Sequence, residues 1–197
     1  TPEERRIVQD GAVLGKTFTR QGISSLTGLS EEGLEGLLAS LGRKAVVAIQ
    51  ADPRSPERGQ YAFLQDIVRH VAYETISRRE RKVKHLAAAE FLASTPGADE
   101  GEIVDVIARH YMDAGAAAPD DADAENIRAK AGDMLVRAGE RAASLAAMTE
   151  AQNAYERALE LTEDPARRAE LHERAGLTAH LGARPEDILV GDGASHG

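Results

Sequence analysis

Apolar residues recur at helical spacing through most of the chain, and this periodicity constrains the fold more than any other feature. In the clearest segment, four leucines occupy positions i, i+3, i+4 and i+7 of one helical face: Leu34, Leu37, Leu38 and Leu41. Similar stripes run through the second half of the chain, as in Ile103, Ile107 and His110. The pattern therefore predicts a mainly α fold built from amphipathic helices.

Two short runs of β-forming residues interrupt the helical pattern. They cover residues 45–49 and 60–64, and the connector 52–59 between them is rich in Pro, Gly and charge. Such a pair predicts a two-stranded hairpin. Three predicted helices precede it, which is the element order of a winged helix, with 52–59 as the wing. We therefore predict a winged-helix domain (three helices plus a two-stranded β-hairpin) with trailing helices, over residues 1–96.

Three positions carry residues that typically begin a helix. Thr1 with Glu4, and Ser77 with Glu80, have the spacing of capping boxes, in which a hydroxyl and a carboxylate bond each other's backbone N–H groups. Ser30 precedes the leucine stripe and is expected to cap that helix. These residues predict helix starts at all three places.

Small residues at fixed helical offsets in the second half fit one copy of the tetratricopeptide (TPR) pattern. Gly139 stands at the glycine of the first helix, and Leu135 at its large apolar position. In the second helix of that pattern, the two alanine positions hold Ala151 and Ala158, and the aromatic position holds Tyr155. Gly and Ala let paired helices approach closely, while the aromatic ring fills the gap to the next repeat. The pattern predicts TPR-like helical hairpins.

Charge also divides the chain. Residues 1–96 hold 14 basic and 12 acidic side chains, whereas residues 97–197 hold 10 basic and 21 acidic ones. The shift coincides with a turn-forming stretch at 94–99, where we place a linker. We predict TPR-like α-helical repeats over 97–185 and a disordered tail over 186–197.

Several chemistries find no support in the sequence. The absence of Cys removes disulfides and thiolate sites. The segment 11–17 resembles a phosphate-binding loop, but it has three residues between its glycines where that loop has four, so we interpret it as a helix end that turns into the next helix. The six histidines include no His-Glu-x-x-His pair. We predict that this chain is not an enzyme and binds no metal.

Winged helices often bind DNA, so a DNA-binding transcriptional regulator is the alternative. The outward residues of the third predicted helix include Glu31, Glu32 and Glu35, which phosphates would repel. The basic run 78–84 favours DNA, but an isolated charge run is usually a solvated helix face. We therefore expect DNA not to be the partner.

One stretch resembles a known family. The chain resembles the segment after the winged helix of STAND signal-transduction ATPases at residues 63–73, which read Phe-Leu-Gln-Asp-Ile-Val-Arg-His-Val-Ala-Tyr. The resemblance extends to Arg81 and to residues 85–87. Residues 1–6 and 11–15 are similar to the winged-helix start of that family. Its members include large bacterial regulators and fusions with class III adenylate or guanylate cyclase domains. Their order is a nucleotide-binding domain, a winged helix and a TPR-like superhelix.

The resemblance implies a role for Gln65 and Asp66. In the related NB-ARC ATPases a Met-His-Asp motif lies at this place, and its His contacts the β-phosphate of bound ADP. Leu64, Gln65 and Asp66 correspond to that motif. Gln65 replaces the His, so it still donates a hydrogen bond but carries no charge. The other interpretation is that Gln65 and Asp66 only cap the following helix.

The resemblance further implies a regulatory fragment, since the family's Walker A and Walker B segments would lie upstream of Thr1. We expect the winged helix to contact that nucleotide-binding domain and the repeats to bind a protein or peptide partner. ATP or ADP would belong to the full-length protein, with no cofactor in this fragment. The sequence has no apolar run long enough for a membrane span and no signal-peptide pattern, so we expect no membrane contact and a cytoplasmic location.

Overall fold

The computed structural model describes residues 1–52, 54–55, 57–95 and 102–182, and this part of the chain is mainly α-helical, as the periodicity predicts. Three short strands lie among the helices. In chain order the elements are α1 (Pro2–Leu14), β1 (Thr17–Phe18), α2 (Arg20–Thr27), α3 (Glu31–Arg43), β2 (Val47–Ile49), β3 (Tyr61–Phe63), α4 (Asp66–Glu74), α5 (Arg78–Ser94), α6 (Glu102–Ala117), α7 (Ala124–Ser144), α8 (Met148–Leu161) and α9 (Pro165–Gly182).

Capping side chains begin the helices where the sequence predicts them. Both capping boxes are present: Thr1 with Glu4 at α1, and Ser77 with Glu80 at α5. The hydroxyl of Ser30 caps α3 by accepting a backbone N–H of its first turn. Each of these bonds satisfies an N–H that has no partner inside its helix.

The three strands form one antiparallel sheet in the order β1-β3-β2. The predicted hairpin is present as β2 and β3, with Val47 opposite Phe63, but the prediction of two strands is wrong, because Thr17 of β1 also pairs with Ala62 of β3. A two-residue strand is too short to show an alternating pattern. Packing holds it instead, since the ring of Phe18 lies 5.5 Å from that of Phe63.

The glycine-rich segment 11–17 also differs from its interpretation as a turn between two helices. α1 ends at Leu14, Gly15 adopts a φ of 137°, and the chain then enters β1 before α2 begins. That φ lies in the region that favours glycine. A Cβ on Gly11 would lie 2.8 Å from the ring of Phe18. The two glycines therefore serve a turn and a close packing contact.

The N-terminal core lies between α1, α2, α3 and the sheet. The predicted leucine stripe of α3 forms part of it, with Leu34, Leu38 and Leu41 buried and Leu37 packed at its edge. The other buried apolar side chains of this core are Ile7, Ala12, Phe18, Ile23, Val47, Tyr61 and Phe63.

From α5 to α9, each helix packs against the next one. Ala89 of α5 shares a core cluster with Ile107 of α6 and Ile127 of α7. The predicted linker 94–99 lies partly outside the described residues and the predicted tail 186–197 lies wholly outside them, so both stay predictions. Helices on the two sides of that linker thus share one apolar core.

Gly139 of α7 lies directly against the ring of Tyr155 of α8. A Cβ at this position would lie 2.5 Å from Cε1 of Tyr155, whose side chain is buried in the core of α7, α8 and α9. Carbon atoms do not approach that closely without repulsion. The contact between the two helices therefore requires a glycine here.

We expect Gly139→Ala to lower the free energy of unfolding by about 1–3 kcal/mol, because the added methyl group overpacks against the buried ring of Tyr155. Gly36→Ala in α3 is the matched control. No heavy atom lies within 4 Å of a Cβ at Gly36, so this change should raise stability by about 0.5–1 kcal/mol through helix propensity alone. Urea unfolding measures the free energy of unfolding of both variants. Equal changes at the two positions would contradict the close packing of Gly139 against Tyr155.

Candidate functional site

Gln65 and Asp66 lie exposed at the point where β3 leads into α4. Gln65 takes the N-cap position, but its side chain makes no capping hydrogen bond, so capping does not occupy its amide. Oδ1 of Asp66 accepts a hydrogen bond from Nε of Arg69 at 2.8 Å, and this guanidinium holds the pKa of Asp66 below its usual value. Of the two, Gln65 is the side chain free to bond a ligand.

An apolar groove begins one residue further along, between α1 and α4. Its volume is about 630 Å³, and it is lined by Arg5, Val8, Gln9, Ile67, Val68, Val71, Ala72 and Thr75. Ile67 is 61% exposed and Val71 is 53% exposed, although both are large apolar side chains. They lie one helical turn apart and form an apolar stripe open to solvent, a feature typical of interaction surfaces.

A buried polar cluster, which we call the junction cluster, joins α4, α5 and α6. Tyr73 Oη lies 2.9 Å from Nε2 of His85, and Nδ1 of His85 lies 2.9 Å from Nδ1 of His110. Asp113 lies at its edge, with Oδ2 3.9 Å from Nδ1 of His85. No sequence motif marked this cluster, but one signal was present. His110 is a polar residue that continues the apolar stripe of Ile103 and Ile107.

The hydrogen-bond pattern of the junction cluster determines its protonation. Nε2 of His110 is buried without a partner, so we assign His110 the tautomer that donates its Nδ1–H to His85. His85 then donates its Nε2–H to Tyr73. Burial lowers the pKa of His85 to about 3, with the charge of His110 adding to the effect, and burial lowers the pKa of His110 to about 4. Both rings are therefore neutral at pH 7.

The basic run 78–84 is not the solvated helix face that the sequence indicated. Lys82 is buried and pairs with Asp121 and Asp123, which precede α7. Lys84 pairs with Asp10 of α1, and Arg81 pairs with a carboxylate of α4 at 3.0 Å. Three of the five cations thus tie α5 to α1, to α4 and to the segment before α7, and such long-range pairing cannot be inferred from a local charge count.

Ion pairs also join α9 to α7. Arg174 Nη1 lies 2.6 Å from Oε1 of Glu140, and Arg167 pairs with Asp133 about two turns earlier on each helix. Arg174 also covers the ring of Tyr155, with 6.0 Å between its guanidinium carbon and the ring centre. α7 and α9 are therefore in contact through these ion pairs.

No group of three or more His, Asp or Glu side chains within the described ranges is arranged to hold a metal ion. Over the same ranges, none of the helices combines the length and apolar character that a membrane crossing requires. Neither a protein-family model nor a curated protein nor a solved structure matches the chain.

Proposed function

We propose that this chain is a non-catalytic regulatory and protein-interaction region of a STAND-type signal-transduction ATPase. Its α1–α4 face docks on a nucleotide-binding domain, and its helical hairpins bind a protein or peptide partner. The observation that carries the proposal is the open apolar groove of α1 and α4, whose lining on α4 begins at Ile67, two residues after Gln65. One docked domain would cover the groove and bring its bound nucleotide within reach of the Gln65 amide.

Two features of the fold support the architecture that this proposal requires. The element order α1-β1-α2-α3-β2-β3, with the strand order β1-β3-β2, suits a winged helix. The close contact of Gly139 with Tyr155, and the pairing of α9 with α7, suit TPR-like hairpins. In this proposal the first unit senses the nucleotide state and the second presents a binding surface.

The DNA-binding alternative is less well supported. Glu31, Glu32 and Glu35 are exposed on α3, the helix that would enter the major groove, and phosphates repel carboxylates there. Lys82 and Lys84 already neutralise carboxylates of this chain. A salt-dependent gel shift with duplex DNA would favour the alternative instead.

Calorimetry with ADP and ATP tests the proposed function. We expect no binding heat from this chain alone, and binding when the nucleotide-binding domain of a STAND ATPase is added in trans. Gln65→Ala should weaken ADP binding by the combined sample about three- to tenfold, the loss of one hydrogen bond. Gln21→Ala, an exposed glutamine on α2, is the matched control.

Two results would overturn the proposal. One is the absence of any association between this chain and the added domain in either nucleotide state. The other is nucleotide turnover by this chain alone, which would make it an enzyme in its own right.

A further inference from the structure

The lining of the groove between α1 and α4 is not uniform. Nε2 of Gln9 donates a hydrogen bond to Oγ1 of Thr75 at 3.1 Å, so these polar groups are already satisfied. Arg5 lies one helical turn earlier on α1 and lines the groove as well. The remaining lining side chains are apolar. The groove therefore has a mainly apolar lining, one polar pair that is already satisfied and one cationic side chain.

Among the residues that line the groove, one is a cation without an ion-pair partner in the described part of the chain. Asp66 pairs with Arg69, and Glu74 at the far end of α4 pairs with Arg81. Within the described part of the chain, the guanidinium of Arg5 has neither an ion pair nor a hydrogen bond, and the residue is exposed. An incoming carboxylate would meet Arg5, whereas an incoming cation would be repelled by it.

The shape favours a helix as the occupant. A groove between two packed helices accepts the ridge of side chains that a third helix presents at i, i+3 and i+4. Ile67 and Val71 are themselves one turn apart, so their exposed stripe matches a ridge of about one helical turn.

We propose that the groove binds an amphipathic helix whose apolar face covers Ile67 and Val71 and whose carboxylate pairs with Arg5. This inference rests on the proposed function, in which that helix belongs to the docking nucleotide-binding domain. It adds the chemistry of the partner: a short apolar ridge with an acidic residue at the end nearest Arg5.

Two labelled helical peptides of about 15 residues test this chemistry directly. Both carry the same Leu and Ile ridge, and they differ only in one end residue, Glu in the first and Lys in the second. By fluorescence anisotropy we expect the Glu peptide to bind the wild-type chain about tenfold more tightly than the Lys peptide. Arg5→Glu should invert that preference, because the variant attracts the ammonium and repels the carboxylate.

Val71→Asp should abolish binding of both peptides, and its exposed position makes it compatible with folding, which circular dichroism checks. Val83→Asp is the matched control, since Val83 is 60% exposed on α5 outside the groove, and it should leave both affinities unchanged. Equal affinities of the two peptides for wild type, or an Arg5→Glu variant with the same preference as wild type, would overturn the inference.

Binding of the nucleotide-binding domain to these variants separates the two proposals. If the domain binds wild type, Val71→Asp and Arg5→Glu equally well, the groove is not the docking site. This inference then fails together with the assignment of the α1–α4 face as the docking surface, while the nucleotide-dependent association of the domain with this chain stands. If the peptides behave as expected but the domain does not bind, the proposed function fails and the chemistry of the groove stands.

Discussion

Lys84→Met is expected to lower the free energy of unfolding by about 3–5 kcal/mol, because it leaves a buried carboxylate without its cation. Asp10 is fully buried in α1, and Lys84 of α5 is its ion-pair partner. The other oxygen of Asp10 has no hydrogen-bond partner, and Arg6 is 4.0 Å away from it. At that distance Arg6 acts on Asp10 through charge alone, without a hydrogen bond, so it replaces the lysine only in part.

The double variant Asp10→Leu with Lys84→Met distinguishes a buried charge from lost packing. Replacing both members of a buried pair by apolar residues is often neutral, so the double variant should recover most of the lost stability. Arg79→Met on the same helix is the control, since Arg79 is exposed, and it should change stability by less than about 0.5 kcal/mol. A double variant no more stable than Lys84→Met would refute the explanation.

The loss caused by Lys84→Met should also depend on pH. Burial raises the pKa of Asp10, while Lys84 opposes that rise. Removing the lysine raises this pKa further above its value in the unfolded chain, so the folded form takes up a proton as the pH falls and regains stability. Urea unfolding at a series of pH values should show the deficit shrinking towards acid pH.

The second large effect is expected at the junction cluster: acidification from pH 7.5 to 5 should destabilise the fold by about 2 kcal/mol for each of its two histidines. The pKa values of His85 and His110 are lowered to about 3 and about 4, against 6.5 for a free side chain. Between these values the unfolded chain binds protons that the folded chain does not. Stability is therefore lost as the pH falls below about 6.5, until the folded rings themselves become protonated.

Proton uptake on unfolding is the measurement that isolates this effect. The slope of the unfolding free energy against pH near 5.5 gives the number of protons taken up on unfolding. We expect that number to fall by about one in His110→Gln, whatever the absolute stability of that variant. His172→Gln, at an exposed histidine of α9, should keep the wild-type slope. The pKa values of Asp10 and Asp113 are raised, so these two carboxylates change the slope with the opposite sign. They do so in wild type and in every variant, and their contribution largely cancels when the slopes are compared. An unchanged slope in His110→Gln would refute the buried neutral pair.

Much of the secondary structure follows from short stretches of sequence. The leucine stripe and both capping boxes appear where they are predicted, because each depends on side chains three or four residues apart. β1 was missed for the converse reason. Its two residues carry no pattern of their own, and it exists because the ring of Phe18 packs with Tyr61 and Phe63 more than forty residues away.

The candidate site was predictable only in part. The sequence placed Gln65 and Asp66 at the start of a helix, and the structure puts Gln65 there with a free amide. The groove beside it needs α1 and α4 side by side, and no local pattern reports that neighbour. The basic run shows the same limit, because the partner of Lys84 lies 74 residues earlier in the chain.

What the sequence by itself determined is the mainly helical character of the chain and where several of its helices begin, since these depend on periodicity and on caps within one helical turn. Tertiary structure decided which charges are buried, which apolar side chains stay exposed and where two histidines meet. Those outcomes depend on which helices become neighbours. That choice is made by the packing of the whole core, in which each contact joins residues that are distant in the sequence.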